Sequence, residues 1–128
     1  MNKALEKKLG QTAMIIGCVV PIAGGLQGIA LGAGMSGHGG DVTLDSHVRY
    51  LSGLLLAIGI AFLSTVRDIE LKGERVTLLA ALVVTGGLGR LYGVLHDGWP
   101  TSTMIFALAM ELGVVPALWL WQRRLVRA

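Results

Sequence analysis

The sequence predicts an all-α fold, an integral membrane four-helix bundle, and three observations carry the prediction. Of 128 residues, 53% are hydrophobic and only 15% charged, against about 25% charged in soluble domains. Mean hydropathy is +0.67, so a water-facing surface would lack polar cover. Four apolar stretches, near 11–34, 46–66, 75–96 and 101–122, each meet the ~20-residue length of a membrane helix. Their links are short, which makes neighbouring helices antiparallel within a single transmembrane domain over residues 1–128.

The first helix, near 11–34, follows Lys3, Lys7 and Lys8. It reads Gly24-x-x-x-Gly28-x-x-x-Gly32, a spacing that stacks glycines on one helix face and lets a second backbone approach. Pro21 predicts a kink near its middle. The only cysteine, Cys18, excludes an intramolecular disulfide. Ile15–Cys18 fits a loose lipoprotein-processing pattern, but the apolar run before it falls short of the ~7–15 residues of a signal h-region, so an uncleaved helix is expected. Gly32–Gly37 matches G-x-G-x-x-G, yet it follows a membrane helix rather than a strand, and no βαβ unit surrounds it.

The second helix, near 46–66, holds Arg49. The third, near 75–96, repeats the small-residue device with Gly86, Gly89 and Gly93 and holds Arg90. "HDGWP" then supplies turn formers, an interfacial Trp99 and Pro100 to open the fourth helix, near 101–122, which holds Glu111. Trp119 and Trp121 with Arg123 and Arg124 anchor its far end.

Orientation follows from the basic residues. Lys3, Lys7, Lys8, Arg67, Lys72, Arg75, Arg123, Arg124 and Arg127 all fall on one side, which places both the N and C termini in the cytoplasm. The two basic residues left from the total of 11 are Arg49 and Arg90. Counted from the opposite side at 1.5 Å per residue, Arg49 lies ~6 Å deep, Arg90 ~9 Å and Glu111 ~15 Å. Charges at such depths cost ~2.5–3.5 kcal/mol at a helix centre and usually face inward to a partner. An Arg49–Glu111–Arg90 cluster is therefore expected, with Gln27 of the first helix at similar depth. Two arginines against one carboxylate leave a positive charge for an anionic or amphipathic ligand: a lipid, a quinone-like molecule or an organic acid. The alternatives are that the charges only fix helix pairing, or that the arginines reach lipid phosphate.

A second polar set lies at the outer ends: Asp41, Asp45 and His47 in one link, His96 and Asp97 in the other. Their spacing is too loose for a metal motif, and no metal or cofactor is assigned. His47, His96 and Asp97 join the candidate ligand site instead. Net charge is only +3, which gives no reason to expect nucleic acid. Three classes stay open: a ligand-binding membrane protein, a scaffold subunit of a membrane complex or homo-oligomer packed through its glycines, and a membrane enzyme using Glu111 with a histidine for acid–base chemistry.

"SHVRYLSGLLLAIGI" (Ser46–Ile60), "GLGRLYGVLHDGWP" (Gly87–Pro100) and "ALAMEL" (Ala107–Leu112) resemble three signatures of one family of small four-helix bacterial inner-membrane proteins, the domain of unknown function 4345. The positions that carry the resemblance are His47, Arg49, Gly89, Arg90, Asp97, Gly98, Pro100 and Glu111. The likeness covers nearly the whole chain. It implies fold and bacterial inner-membrane location, and brings no reaction or cofactor with it.

Overall fold

The computed structural model describes residues 2–36, 40–100 and 102–127, and every regular element among them is helical. Helix α1 covers Lys3–Leu31 and runs into a 3-10 turn at Gly32–Ser36. Helix α2 is Val42–Leu63, a 3-10 turn follows at Ile69–Leu71, and α3 is Gly73–Asp97. The last span comprises α4 (Ser102–Ala109), a π turn (Met110–Val114) and α5 (Val115–Arg127). Four stretches, Lys3–Gly34, Val42–Leu63, Gly73–Asp97 and Ser102–Leu125, are long and apolar enough to cross a membrane. The chain is a multi-pass membrane protein. Its exposed residues say the same: Ile16, Leu26, Leu54, Leu78, Leu82, Phe106 and Leu120 all face outward, a surface suited to hydrocarbon rather than water.

Helix ends differ from the sequence-based limits for local reasons. α1 begins at Lys3 rather than near 11, because Lys, Ala, Leu, Glu and Gln before Thr12 are strong helix formers although too polar to count as a span. α2 begins at Val42 rather than 46 because Asp41 caps it. The Asp41 backbone is extended (φ −96°, ψ 105°) and its carboxylate accepts the Leu44 N–H at 3.1 Å. Pro21 lies inside an α1 that continues through it. Gly37, which closes the G-x-G-x-x-G pattern, and Thr101, the first residue of the fourth expected span, lie outside the described residues.

Two compact units divide the chain, Gln11–Arg67 in one and Met1–Gly10 with Asp68–Ala128 in the other. Within the first, α1 buries Met14, Cys18, Gly25 and Gly28, and α2 buries Ser52, Gly59 and Phe62. Helix periodicity puts each set on one stripe. The approach is close. A Cβ at Gly25 would stand 2.7 Å from both the Leu56 nitrogen and the Ser52 carbonyl oxygen, and one at Gly59 would stand 2.8 Å from the Ile22 side chain. Hydrocarbon gives such helices little reason to associate except the fit itself, so small residues carry the contact. Beyond α2, Thr65 donates to the Phe62 carbonyl at 2.6 Å, and Gln11 donates to the Val66 carbonyl at 2.7 Å.

In the second unit the buried side is Ile69, Val76, Leu79, Ala80, Gly87 and Val94, with Leu108 and Gln122 from the last span. Gln122 donates to the Ile69 carbonyl at 3.0 Å and Trp119 donates to the Thr77 hydroxyl at 2.9 Å. The first turns of α1 belong here: Gly10 leaves the space that the Trp121 ring occupies, and Lys7 pairs with Glu70 at 2.9 Å.

The π turn has a visible cause in Pro116. A proline has no N–H for the carbonyl of Leu112 one turn back, and its ring crowds that carbonyl. The chain widens just before it, so that the Val115 N–H bonds to the Met110 carbonyl, five residues back. Glu111 sits in that widened turn.

Candidate functional site

Within each unit, one arrangement holds ionisable residues that the sequence places inside the spans: Arg49 in the first, Arg90 and Glu111 in the second. At the end of α1, Gly32 takes a left-handed conformation (φ +57°), the glycine-favoured way to stop a helix. Any side chain there would strike Asp45 and Arg49, since a Cβ would stand 2.0 Å from the Asp45 carboxylate. Asp45 accepts the Ala33 N–H at 2.9 Å with one oxygen and the Arg49 Nε–H at 2.7 Å with the other. Arg49 in turn donates through Nη1 to the Ile29 carbonyl. That carbonyl is one of the last-turn acceptors a helix leaves unpaired, and a guanidinium also suits the negative end of the helix dipole.

This alters the expected charge count. The apolar limits of the second span leave Asp45 in the link, away from Arg49. With α2 beginning at Val42, Asp45 and Arg49 lie one turn apart on one helix and form an i,i+4 pair. Arg49 has its own carboxylate, and its bonds close the end of α1.

The second arrangement joins α3 to the π turn. Arg90 donates from Nε and Nη2 to the two oxygens of Glu111, both at 3.1 Å, a two-pronged pairing that fixes orientation as well as distance. Its Nη1 points to the Met104 sulfur at 2.9 Å, a weak acceptor. Glu111 keeps 16% of its side chain exposed and Arg90 33%, so the carboxylate is the better covered partner. Gly87 makes the approach possible. A Cβ there would stand 2.9 Å from the Glu111 Cβ and from a Leu112 methyl carbon.

The other expected site residues fall outside these two groups. Gln27 and His47 are exposed. His96 and Asp97 are exposed too and bond to each other, Nδ1 to Oδ1, at 2.8 Å, with Tyr92 stacked on the imidazole at a centroid distance of 6.0 Å. Among the described residues no group of three or more His, Cys, Asp or Glu is placed to hold a metal.

The expected packing glycines divide as well. Gly28 meets Ser52 and Gly32 meets Asp45 closely, while Gly24 has only a Leu55 methyl at 3.8 Å. A Cβ at Gly86, Gly89 or Gly93 would meet nothing within 4 Å. The sequence sets Gly25 only beside the Gly24, Gly28 and Gly32 row, although its i+3 spacing to Gly28 points to the contact, and assigns no role to Gly87, Met104 or Pro116.

Away from the membrane interior, Lys7 donates to Glu70 at 2.9 Å. That hydrogen bond, helped by the residue's own backbone N–H and the Lys7 charge, and opposed by burial, holds the Glu70 carboxyl below its ordinary range.

A family model described as "Domain of unknown function (DUF4345)" matches residues 9–122. No curated protein and no solved structure matches the chain.

Proposed function

The chain belongs to the DUF4345 family, and from that premise we propose that it is a bacterial inner-membrane protein that binds the polar head of a small amphipathic ligand at Arg90 and Glu111. Both termini lie in the cytoplasm and the site opens towards the periplasm, a reading supported by the one-sided placement of the lysines and arginines outside the spans. Introducing the single change Trp99→Cys tests it: an impermeant maleimide added to intact spheroplasts labels that position if the topology is right, and labels it only after lysis if the topology is inverted.

One observation carries the binding site. The Nη1 of Arg90 faces a thioether while its other edge is held by a carboxylate. A guanidinium has five N–H donors, and inside a membrane a donor without a good acceptor is costly. A ligand oxygen satisfies it better than sulfur does. Arg49, bonded to Asp45 and the Ile29 carbonyl, holds the end of α1 in this account. The test is native mass spectrometry of the protein released from bacterial membranes. The wild type retains a bound amphiphile; the double variant Arg90→Leu/Glu111→Leu, which leaves no lone charge behind, loses it; Leu78→Ala on the outward face keeps it. Equal retention in all three removes the proposal.

A second reading has its own observation. Gly86, Gly89 and Gly93 lie along one side of α3 with open space before them, a surface that admits another membrane helix, from a second copy or a different subunit. Crosslinking from Gly89→Cys that yields a partner of fixed stoichiometry supports a scaffold role, and an uncrosslinked monomer counts against it.

A further inference from the structure

Resting on the reading that Arg90 holds a ligand head, we infer that the head is a neutral carbonyl oxygen rather than an anion, and that Glu111 sets this selectivity.

Charge balance is the first ground. Arg90 and Glu111 are bonded through both carboxylate oxygens, so the pair is neutral, and Arg49 adds no surplus because Asp45 already faces it within its own unit. An incoming phosphate or carboxylate would leave the site with a net negative charge. It would also stand beside a carboxylate of which only 16% is exposed, where water screens little of the repulsion. A carbonyl adds no charge.

Donor geometry is the second ground. The Nε–Nη2 edge of Arg90 is taken by Glu111, so the donors left over belong to the two terminal nitrogens, and the only partner on that side among the described residues is Met104 Sδ at 2.9 Å from Nη1. A carbonyl oxygen offers two lone pairs to that edge, as a ketone, a quinone or an ester does. Met104 then occupies the position when the site is empty of ligand, and its flexible chain moves aside on binding. Two sources supply such an oxygen: the ester carbonyl of a bilayer lipid, or a free lipid-soluble ketone or quinone.

The experiment compares undecan-2-one with decanesulfonate, which stays ionised. Both are titrated into the full-length protein in nanodiscs of diether phospholipid, and the 13C-methyl resonance of Met104 reports site occupancy. In the wild type the ketone binds roughly tenfold or more tighter than the sulfonate. Glu111→Gln, which keeps the shape and removes the charge, reverses the order. A sulfonate that binds the wild type as tightly as the ketone overturns the inference, as does an unchanged ratio in Glu111→Gln, and the wild-type ratio decides even if that variant does not fold. Failure of the underlying site looks different: neither probe moves the Met104 resonance saturably. Repeating the titration in diester lipid separates the sources. Weaker apparent ketone binding there identifies the bilayer ester as the occupant, and unchanged binding identifies a free molecule.

Discussion

Replacing Gly25 by alanine puts a methyl group where the backbone of α2 already stands. The added Cβ would lie 2.7 Å from the Leu56 nitrogen and from the Ser52 carbonyl oxygen, and 2.8 Å from the Leu56 Cβ. None of these is the far end of a flexible side chain, so relief requires the helices to part or to slide. Ordinary contact at such atoms begins near ~3.5 Å; α1 and α2 must separate locally by most of an ångström, and the contacts at Gly28–Ser52 and Gly59–Ile22 loosen with them. Overpacking of this kind costs about 1–3 kcal/mol. Alanine recovers up to ~1 kcal/mol through its better helix propensity, a gain that Gly53→Ala shares, so Gly25→Ala is less stable than Gly53→Ala by the full overpacking cost of about 1–3 kcal/mol. Gly53→Ala is the matched control, since a Cβ there meets nothing within 4 Å and only the propensity gain applies. Reversible unfolding in mixed micelles, followed by circular dichroism, compares the two variants with the wild type. If Gly25→Ala is as stable as Gly53→Ala, close backbone approach does not hold the α1–α2 pair and the reasoning fails.

Other consequences can be checked in the same preparations. Pro116→Ala returns an N–H to the Leu112 carbonyl and lets the π turn relax to α, so a double-mutant cycle on Arg90 and Glu111 yields a smaller coupling in that background; an unchanged coupling shows that Pro116 does not set the Glu111 position. Removing Glu111 alone destabilises more than removing both partners, because it leaves the Arg90 charge unpaired, where breaking a buried pair costs on the order of 3–5 kcal/mol and partial exposure reduces that figure; equal losses refute the pairing. Arg49→Ala frees the Ile29 carbonyl and speeds amide exchange at the end of α1, while exchange near Gly87 stays unchanged. Glu70 has a lowered pKa in the fold, so its share of the stability is present above the unfolded value of about 4.5 and disappears as pH falls through the lower folded value; Lys7→Met flattens that acid limb, and an identical limb in the variant contradicts the assignment.

Much of the architecture was legible because membrane helices announce themselves by length and apolarity. The positions of all four spans follow from that rule. Helix ends were less legible. The polar turn from Lys3 to Gly10 is helical without being apolar, and the cap at Asp41 moved Asp45 from a link into α2, where it neutralises Arg49. That single shift gives Arg49 a counter-charge that the span limits alone do not show.

Glycine spacing identified a packing device without its rotational phase. On α3 the face that meets the π turn carries Gly87, while Gly86, Gly89 and Gly93 face open space, because which side of a helix turns inward depends on partners distant in sequence. Pro116 was a readable signal for the widened turn at Glu111. Met104 had none; its sulfur reaches Arg90 only through the geometry of the α3–α4 connection.

A ligand site at Arg90 and a purely structural Arg90–Glu111 pair differ in what the neighbouring Met104 senses. The most direct measurement is the Met104 methyl resonance during titration with undecan-2-one, in the wild type and in Arg90→Leu/Glu111→Leu. If Arg90 holds a ligand, the wild type shows a saturable shift that is absent from the double variant. A shift of the same size and midpoint in both, or none in either, contradicts the ligand site.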